Sequence, residues 1–132
     1  NVYSENQPYG GAYSTVISAW MEMVRQNKPL RIDGDGNQTR DYIHVDDIVS
    51  VNMFCDAYKE KFNGATFDIG SGESISLNKI KSFIDEKLEV KWEHAPVRPG
   101  DARHTQANID RITKLGWKPK VKIADGLGRC FK

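Results

Sequence analysis

The chain has 132 residues, which is long enough for one domain with a modest hydrophobic core. Its formal net charge is +1 and its basic and acidic residues are intermixed, which argues against the clustered basic face of a nucleic-acid-binding protein. No apolar run reaches the length of a membrane span and no signal-peptide pattern is present, so we expect neither nucleic acid nor membrane as a partner.

The two cysteines, Cys55 and Cys130, match no metal-ligand spacing and no disulfide framework. They predict reduced thiols in a cytoplasmic protein without a metal site. The first residue is Asn1 rather than a methionine. Two interpretations of this start remain open: the initiator methionine was trimmed from the chain, or the chain is a piece of a longer protein.

The first twelve residues are polar and glycine-rich and predict a strand end followed by a loop. An amphipathic helix is predicted next, with Ser14 or Thr15 as its N-cap and residues 27–29 as its stop. Its apolar side chains recur at helical spacing, which is more typical of core packing than of a ligand site. The residues of this apolar stripe are Tyr13, Ile17, Trp20 and Val24.

A glycine-punctuated turn lies between two short predicted strands at residues 30–32 and 42–45. Arg40 stands at the mouth of the second strand, after Gly34 and Gly36. A flexible turn followed by a well-held arginine suits an anionic ligand such as a phosphate. A surface hairpin with an incidental charge is the alternative at this point.

A second helix is predicted after Asp46 and Asp47. Acids at a helix start accept hydrogen bonds from free backbone N–H groups and suit the helix dipole. We therefore interpret this pair as a helix cap rather than as catalytic carboxylates. Apolar residues recur along one face of this helix, at Ile48, Val51, Cys55 and Tyr58.

Residues 66–69 predict a strand that the glycine turn of residues 70–72 ends. The spacing of this turn matches neither nucleotide-binding glycine motif, so a mononucleotide loop is not expected here. An amphipathic helix over residues 76–88 and a strand over residues 90–94 complete this part of the chain.

Arg98 lies between two prolines that fix the backbone on both sides, and Asp101 follows three residues later. This arrangement suits a site that clamps an anion and hydrogen-bonds a hydroxyl group, although a structural salt bridge is equally compatible. Short helices are predicted over residues 109–115 and around Leu127. The order of elements predicts a mixed α/β fold.

Five blocks of the chain together resemble the C-terminal part of the extended short-chain dehydrogenases/reductases, the NAD-dependent nucleotide-sugar epimerases and dehydratases. Residues 1–7 resemble the family segment NVYGPRQ, and residues 30–47 resemble LTIYGDGxQTRDFIYVDD. Residues 67–72, 98–101 and 115–119 are similar to YNIGSG, RPGD and LGWKP, in the same order. The subgroup around UDP-glucose 4-epimerase is the most similar, while dTDP- and GDP-sugar dehydratases share much of this pattern.

The resemblance implies that residues 1–132 form the small mixed α/β substrate-binding domain of such an enzyme, lacking most of the Rossmann domain. Segments near residues 42–70 resemble pieces that pack on that missing domain. A domain separated from its partner should expose apolar surface, so self-association is expected. The implied ligand is a nucleotide-sugar, most similar to a UDP-sugar.

The resemblance also implies the roles of three charged residues. Arg40 and Arg98 would pair with the diphosphate of the substrate, and Asp101 would contact the nucleoside ribose. Two arginines match two phosphates, which agrees with the interpretation of both arginine segments as anion-binding.

The remaining implied contacts come from Asn1, beside the sugar and its phosphate, and from Leu30 and Ile32, along the nucleobase through backbone and apolar contacts. Two departures from the family pattern are present. Residues 4–6 replace Gly-Pro-Arg, and Asp33 stands where the family block usually has an aromatic residue. An acid there would alter the nucleotide preference or face water.

The sequence contains neither the glycine fingerprint for a dinucleotide nor the Tyr-x-x-x-Lys dyad of this family. Hydride transfer needs a bound nicotinamide and a tuned proton donor. We therefore expect no catalytic residue and no bound cofactor in this chain alone, with NAD in the intact enzyme. Two functions remain open: the substrate-binding portion of such an enzyme, and a standalone module that binds nucleotide-sugars without catalysis.

Overall fold

The computed structural model describes residues 1–11 and 14–132 of the chain, which form a mixed α/β fold as predicted. The strands of the described part are β1 (Val2–Tyr3), β2 (Leu30–Asp33), β3 (Thr39–Asp41), β4 (Ile43–His44), β5 (Ser74–Ser76) and β6 (Trp92–Ala95). Its helices are α1 (Val16–Arg25), α2 (Val45–Ala57), α3 (Leu77–Asp85), α4 (Asp110–Lys114) and α5 (Ile123–Cys130). None of these helices is both long enough and apolar enough to cross a membrane.

The strands of the described residues pair into three two-stranded sheets. β1 lies parallel to β4, and β2 lies parallel to β6, with Leu30 opposite Trp92. β3 pairs antiparallel with β5, with Arg40 opposite Ile75. Every pairing joins strands that are distant in the sequence, so the sheets tie separate parts of the chain together.

The main core lies between α1, α3 and β2. Its central side chains are almost completely inaccessible to solvent, and they come from alternate positions of β2 and from one face of each helix. These residues are Ile17, Trp20, Leu30, Ile32, Ile80 and Ile84. A second, smaller core forms around Ile43, Val51, Ile112 and Trp117.

The starts of α1 and α3 agree with the sequence. Thr15 caps α1, because its side chain accepts a hydrogen bond from the Ser18 N–H, and Ser76 caps α3 in the same way through the Lys79 N–H. Tyr13, which belongs to the apolar stripe predicted for α1, lies outside the described residues.

The predicted cap of α2 is wrong. The helix begins at Val45, and its N-cap is His44, whose side chain accepts a hydrogen bond from the Asp46 N–H. Asp46 therefore lies in the first turn. Asp47 is buried and points to the C-terminal part of the chain, where its carboxylate accepts the N–H groups of residues 120 and 121.

The strand predicted over residues 66–69 is also wrong, because these residues form no ladder with any strand of the described chain. A strand requires a paired neighbour, and an apolar sequence alone does not supply one. The reverse case is β5, which was not predicted because its sequence, Ser-Ile-Ser, is short and polar. β3 supplies the partner that stabilises it.

The outer face of α2 exposes two large apolar side chains, Val49 at 57% and Met53 at 65%. We expect the chain to self-associate through this face, since clustered exposed apolar side chains favour burial against a second surface. Light scattering over a range of concentrations should detect the association, and the Val49→Ser/Met53→Ser variant should shift it toward the monomer.

An Asn52→Ser/Asp56→Ser variant is the matched control, because both residues are exposed polar positions on the same helix. It should associate like the unmodified chain. A monodisperse, unmodified monomer with a cooperative thermal transition would contradict the expectation.

Candidate functional site

A cavity of about 570 Å³ lies beside α1, β2 and β3 and is the candidate ligand site. Four of the six predicted substrate-binding residues line it: Asn1, Arg40, Arg98 and Asp101. They come from three separate segments of the chain, which the fold brings to one cavity. Its volume is within the range typical of sites for small organic ligands.

Arg40 is held rigidly at the cavity wall. Its Nη2 donates to the Asp101 Oδ1 at 2.6 Å, and its Nη1 donates to the Thr39 carbonyl oxygen at 2.8 Å. Its side chain is only 15% exposed. A guanidinium fixed in this way presents its remaining N–H groups in a defined direction, which favours binding of an anion.

Tyr42 lies two residues after Arg40 and lines the same cavity. Burial raises the pKa of its hydroxyl group well above the usual range, and of the charges near it the Arg40 guanidinium opposes the increase while Asp101 adds to it. The phenol is therefore neutral at physiological pH. The alternate positions of Arg40 and Tyr42 along the chain explain why both face the cavity.

Arg98 reaches the cavity from an exposed loop, and its side chain is 73% exposed. Its Nη2 donates to the Asp33 Oδ2 at 2.8 Å, while the Asp33 Oδ1 accepts from the Arg31 Nε at 2.6 Å. Burial opposes ionisation of Asp33, but the hydrogen bonds from the two arginines outweigh it and hold the pKa below its usual range. Asp33 is therefore an anion that both arginines share.

Leu30 and Ile32 do not line the cavity. Both side chains are completely buried in the main core. Because side chains alternate along a strand, the cavity is faced by their neighbours Arg31 and Asp33 instead. The β2 side chains at this cavity are therefore charged, and the contact of Leu30 and Ile32 with a nucleobase stays a prediction that only their backbone can fulfil.

Gln38 is a further residue of the cavity wall that the sequence did not predict. Its side chain is 7% exposed, and its Nε2 donates to the Asp33 carbonyl oxygen at 2.7 Å. This bond fixes the strand end that carries Asp33. The alternation of side chains along a strand would have identified Arg31, Asp33 and Gln38 as cavity residues only if it had been known which face of β2 is buried and how the turn at residues 34–36 is folded.

Asp41 is buried directly beneath the site and organises two loops. Its carboxylate accepts hydrogen bonds from the Ser71 N–H and hydroxyl group, each at 2.7 Å. It also accepts from the Gly72 N–H at 3.0 Å and from the Ala107 N–H at 3.2 Å. The Asp41 carbonyl oxygen accepts from the Asn1 Nδ2 at 3.2 Å, which ties the first residue to the same strand.

These contacts decide the role of the glycine turn at residues 70–72. Its amides at Ser71 and Gly72 already donate to the Asp41 carboxylate, so they are not available to cradle a phosphate. A side chain at Gly70 would meet the Asp41 carboxylate at 2.6 Å and the Ala107 Cβ at 2.5 Å. Glycine is thus required here for close packing rather than for a nucleotide.

Cys55 and Cys130 are unpaired thiols, and burial raises the pKa of Cys130 to about 11. Within residues 1–11 and 14–132, no group of three His, Cys, Asp or Glu side chains is placed to hold a metal ion. The cavity wall itself carries arginines, aspartates, neutral hydrogen-bonding groups and apolar side chains.

Comparisons with known proteins find that the chain is similar to enzymes of nucleotide-sugars. The family model described as GDP-mannose 4,6 dehydratase matches residues 1–130. UDP-glucose 4-epimerase of Mycolicibacterium smegmatis is 32% identical over 136 aligned residues, which cover 100% of this chain and 42% of that protein.

Solved structures agree with this similarity. UDP-N-acetylglucosamine 4-epimerase of Methanobrevibacter ruminantium, in complex with UDP-N-acetylmuramic acid, superposes with a TM-score of 0.86 at 25% identity, covering 99% of this chain and 42% of that one. UDP-glucuronic acid 4-epimerase of Bacillus cereus, in complex with UDP-glucuronic acid and NAD, gives 0.85 at 27% identity, covering 98% and 41%. The chain thus spans about two fifths of the length of these proteins.

Replacing Asp41 by alanine should destabilise the chain by about 1–3 kcal/mol, because the N–H groups of Ser71, Gly72 and Ala107 would lose their acceptor. Urea unfolding followed by circular dichroism measures the free energy of unfolding. Asp56→Ala, at an exposed position of α2, is the control and should change it by less than about 0.5 kcal/mol. A comparable loss in both variants would contradict the role given to Asp41.

Proposed function

Since the chain belongs to the family of NAD-dependent nucleotide-sugar epimerases and dehydratases, the extended short-chain dehydrogenases/reductases, we propose that its cavity holds the nucleoside diphosphate of a UDP-sugar-like substrate. The observation that carries this proposal is the presence of Arg40 and Arg98 on one cavity. Two guanidinium groups match the two negative phosphates of a nucleotide-sugar, and each contact is a charge-assisted hydrogen bond.

The other predicted residues support the same ligand. Asn1 lies at the cavity with its side-chain amide beside β3, where it would contact the sugar and the adjoining phosphate. Asp101, whose carboxylate is half engaged by Arg40, has a second oxygen to accept a ribose hydroxyl group. Leu30 and Ile32 would lie along the nucleobase through the backbone of β2, since their side chains are buried in the core.

In the intact family enzyme, this chain would supply substrate binding, and redox chemistry would be the contribution of NAD bound outside it. The residues described here do not fit that cofactor, because the turn amides of Ser71 and Gly72 are occupied by Asp41. The sequence also has no Tyr-x-x-x-Lys dyad to move a proton to or from the sugar. We therefore propose that the chain alone binds a nucleotide-sugar and does not catalyse a reaction. We place this function in the cytoplasm.

A standalone nucleotide-sugar-binding module is the second candidate, favoured by a cavity that keeps both arginines in a chain without the dyad. The two candidates differ in what the coding DNA upstream of Asn1 contains. An in-frame glycine fingerprint and dyad would support the enzyme portion, and their absence would support the module.

Replacing Arg40 by alanine should weaken the binding of UDP or of a UDP-sugar by about 1.5–3 kcal/mol, the usual worth of a charge-assisted hydrogen bond. Arg98→Ala should also weaken binding, and the loss of binding free energy should lie near the lower end of this range because Arg98 is largely exposed. Isothermal titration calorimetry with the full chain measures both affinities.

The matched control is Arg129→Ala, since Arg129 pairs with Asp46 and does not line the cavity. It should bind with unchanged affinity. Absence of heat with the unmodified chain at millimolar ligand would overturn the binding function. Equal affinities in the unmodified chain and both cavity variants would overturn the assignment of the site.

A further inference from the structure

We propose that Asp33 is an internal competitor of the ligand. Its carboxylate binds Arg98 in the place where a ligand phosphate would bind, and an anionic ligand must displace it from Arg98. This inference rests on the proposed binding of a nucleoside diphosphate in the cavity. It assigns a role to the residue at which the chain departs from the family pattern, and it makes Asp33 a determinant of ligand affinity and selectivity.

The geometry places Asp33 between two cations. Its Oδ2 accepts from the Arg98 Nη2 at 2.8 Å and its Oδ1 accepts from the Arg31 Nε at 2.6 Å, so one oxygen serves each arginine. All three residues line the cavity. A ligand phosphate that binds Arg98 offers the same kind of acceptor as the Asp33 Oδ2, which means that the two compete directly.

Asp33 is the fixed partner of this pair. It ends β2, its side chain is 17% exposed, and its backbone carbonyl accepts the Gln38 amide. Arg98 lies in a loop and has a side chain that is 73% exposed. Within the described residues, the bond to Asp33 is its one side-chain hydrogen bond.

The exchange costs little because Asp33 keeps its second partner. When Arg98 turns to a phosphate, the Asp33 Oδ1 remains bonded to the Arg31 Nε, so no buried carboxylate is left without a cation. The arginine of the pair that breaks is 73% exposed, and ion pairs open to water contribute at most about 1 kcal/mol. Asp33 therefore lowers the affinity for an anion moderately rather than blocking the site.

The same competition provides selectivity for charge. A diphosphate offers several anionic oxygens and displaces Asp33, whereas an uncharged nucleoside offers none and leaves the Asp33–Arg98 pair in place. Removing the charge of Asp33 should thus strengthen the binding of UDP and leave the binding of uridine unchanged.

Isothermal titration calorimetry of the full chain with UDP tests the inference through Asp33→Asn, which keeps the shape of the side chain and removes its charge. We expect binding to tighten about two- to fivefold, the equivalent of an exposed ion pair. Asp35→Asn is the matched control, since Asp35 pairs with Arg103 and does not line the large cavity. Its affinity for UDP should be unchanged.

A double-mutant cycle with Arg98→Gln isolates the pair. In the Arg98→Gln background, Asp33→Asn should no longer tighten the binding of UDP, because the competition acts through Arg98. A thermal melt of each variant checks that the fold is retained, and Asp33→Ser serves as a second neutral variant.

The outcomes separate the two levels of the proposal. Unchanged or weaker binding by the folded Asp33 variants, with normal binding by the unmodified chain, overturns the competition and keeps the proposed function. Tightening that persists without Arg98, or that extends equally to uridine, overturns it as well. Absence of UDP binding in the unmodified chain and in every variant overturns the proposed function and this inference together.

Discussion

The buried carboxylate of Asp41 is the contact on which the candidate site depends. It gathers the glycine turn of residues 70–72 and the loop around Ala107 onto β3 by accepting hydrogen bonds from their partly buried N–H groups. Because side chains alternate along the chain, the residue on each side of Asp41 points the other way, into the cavity. The rigid underside of β3 thus determines where Arg40 and Tyr42 are presented.

The cavity combines strong cations with their own internal counterions. Arg40 is paired with Asp101, and Arg98 and Arg31 share Asp33, so each arginine of the wall has an acid beside it. This arrangement holds flexible guanidinium groups in place and lowers the repulsion between them. A ligand therefore gains only the difference in free energy between its own hydrogen bonds and those that it replaces. The number of arginines in the wall alone would overestimate the affinity for an anionic ligand.

Much of this arrangement followed from the sequence, and the errors have specific physical causes. The family resemblance predicted Asn1, Arg40, Arg98 and Asp101 as site residues, and all four line one cavity, whereas the residue types alone had left a hairpin and a salt bridge open. The side chains of Arg31 and Asp33 were missed at the cavity, since a strand has two faces and only packing decides which one is buried. His44 was missed as a cap because histidine rarely serves in that role, and its ring was positioned by tertiary contacts.

The pairing of the strands has a consequence for the rate at which the chain reaches its native state. Each of the three sheets joins residues that are far apart in sequence, such as Val2 with Ile43 and Leu30 with Trp92, and the carboxylate of Asp47 binds the amide of Val121. Closing such large loops costs entropy before any of these contacts can form. High contact order of this kind slows folding, so the chain should collapse around its helices first and complete the cavity among its last steps.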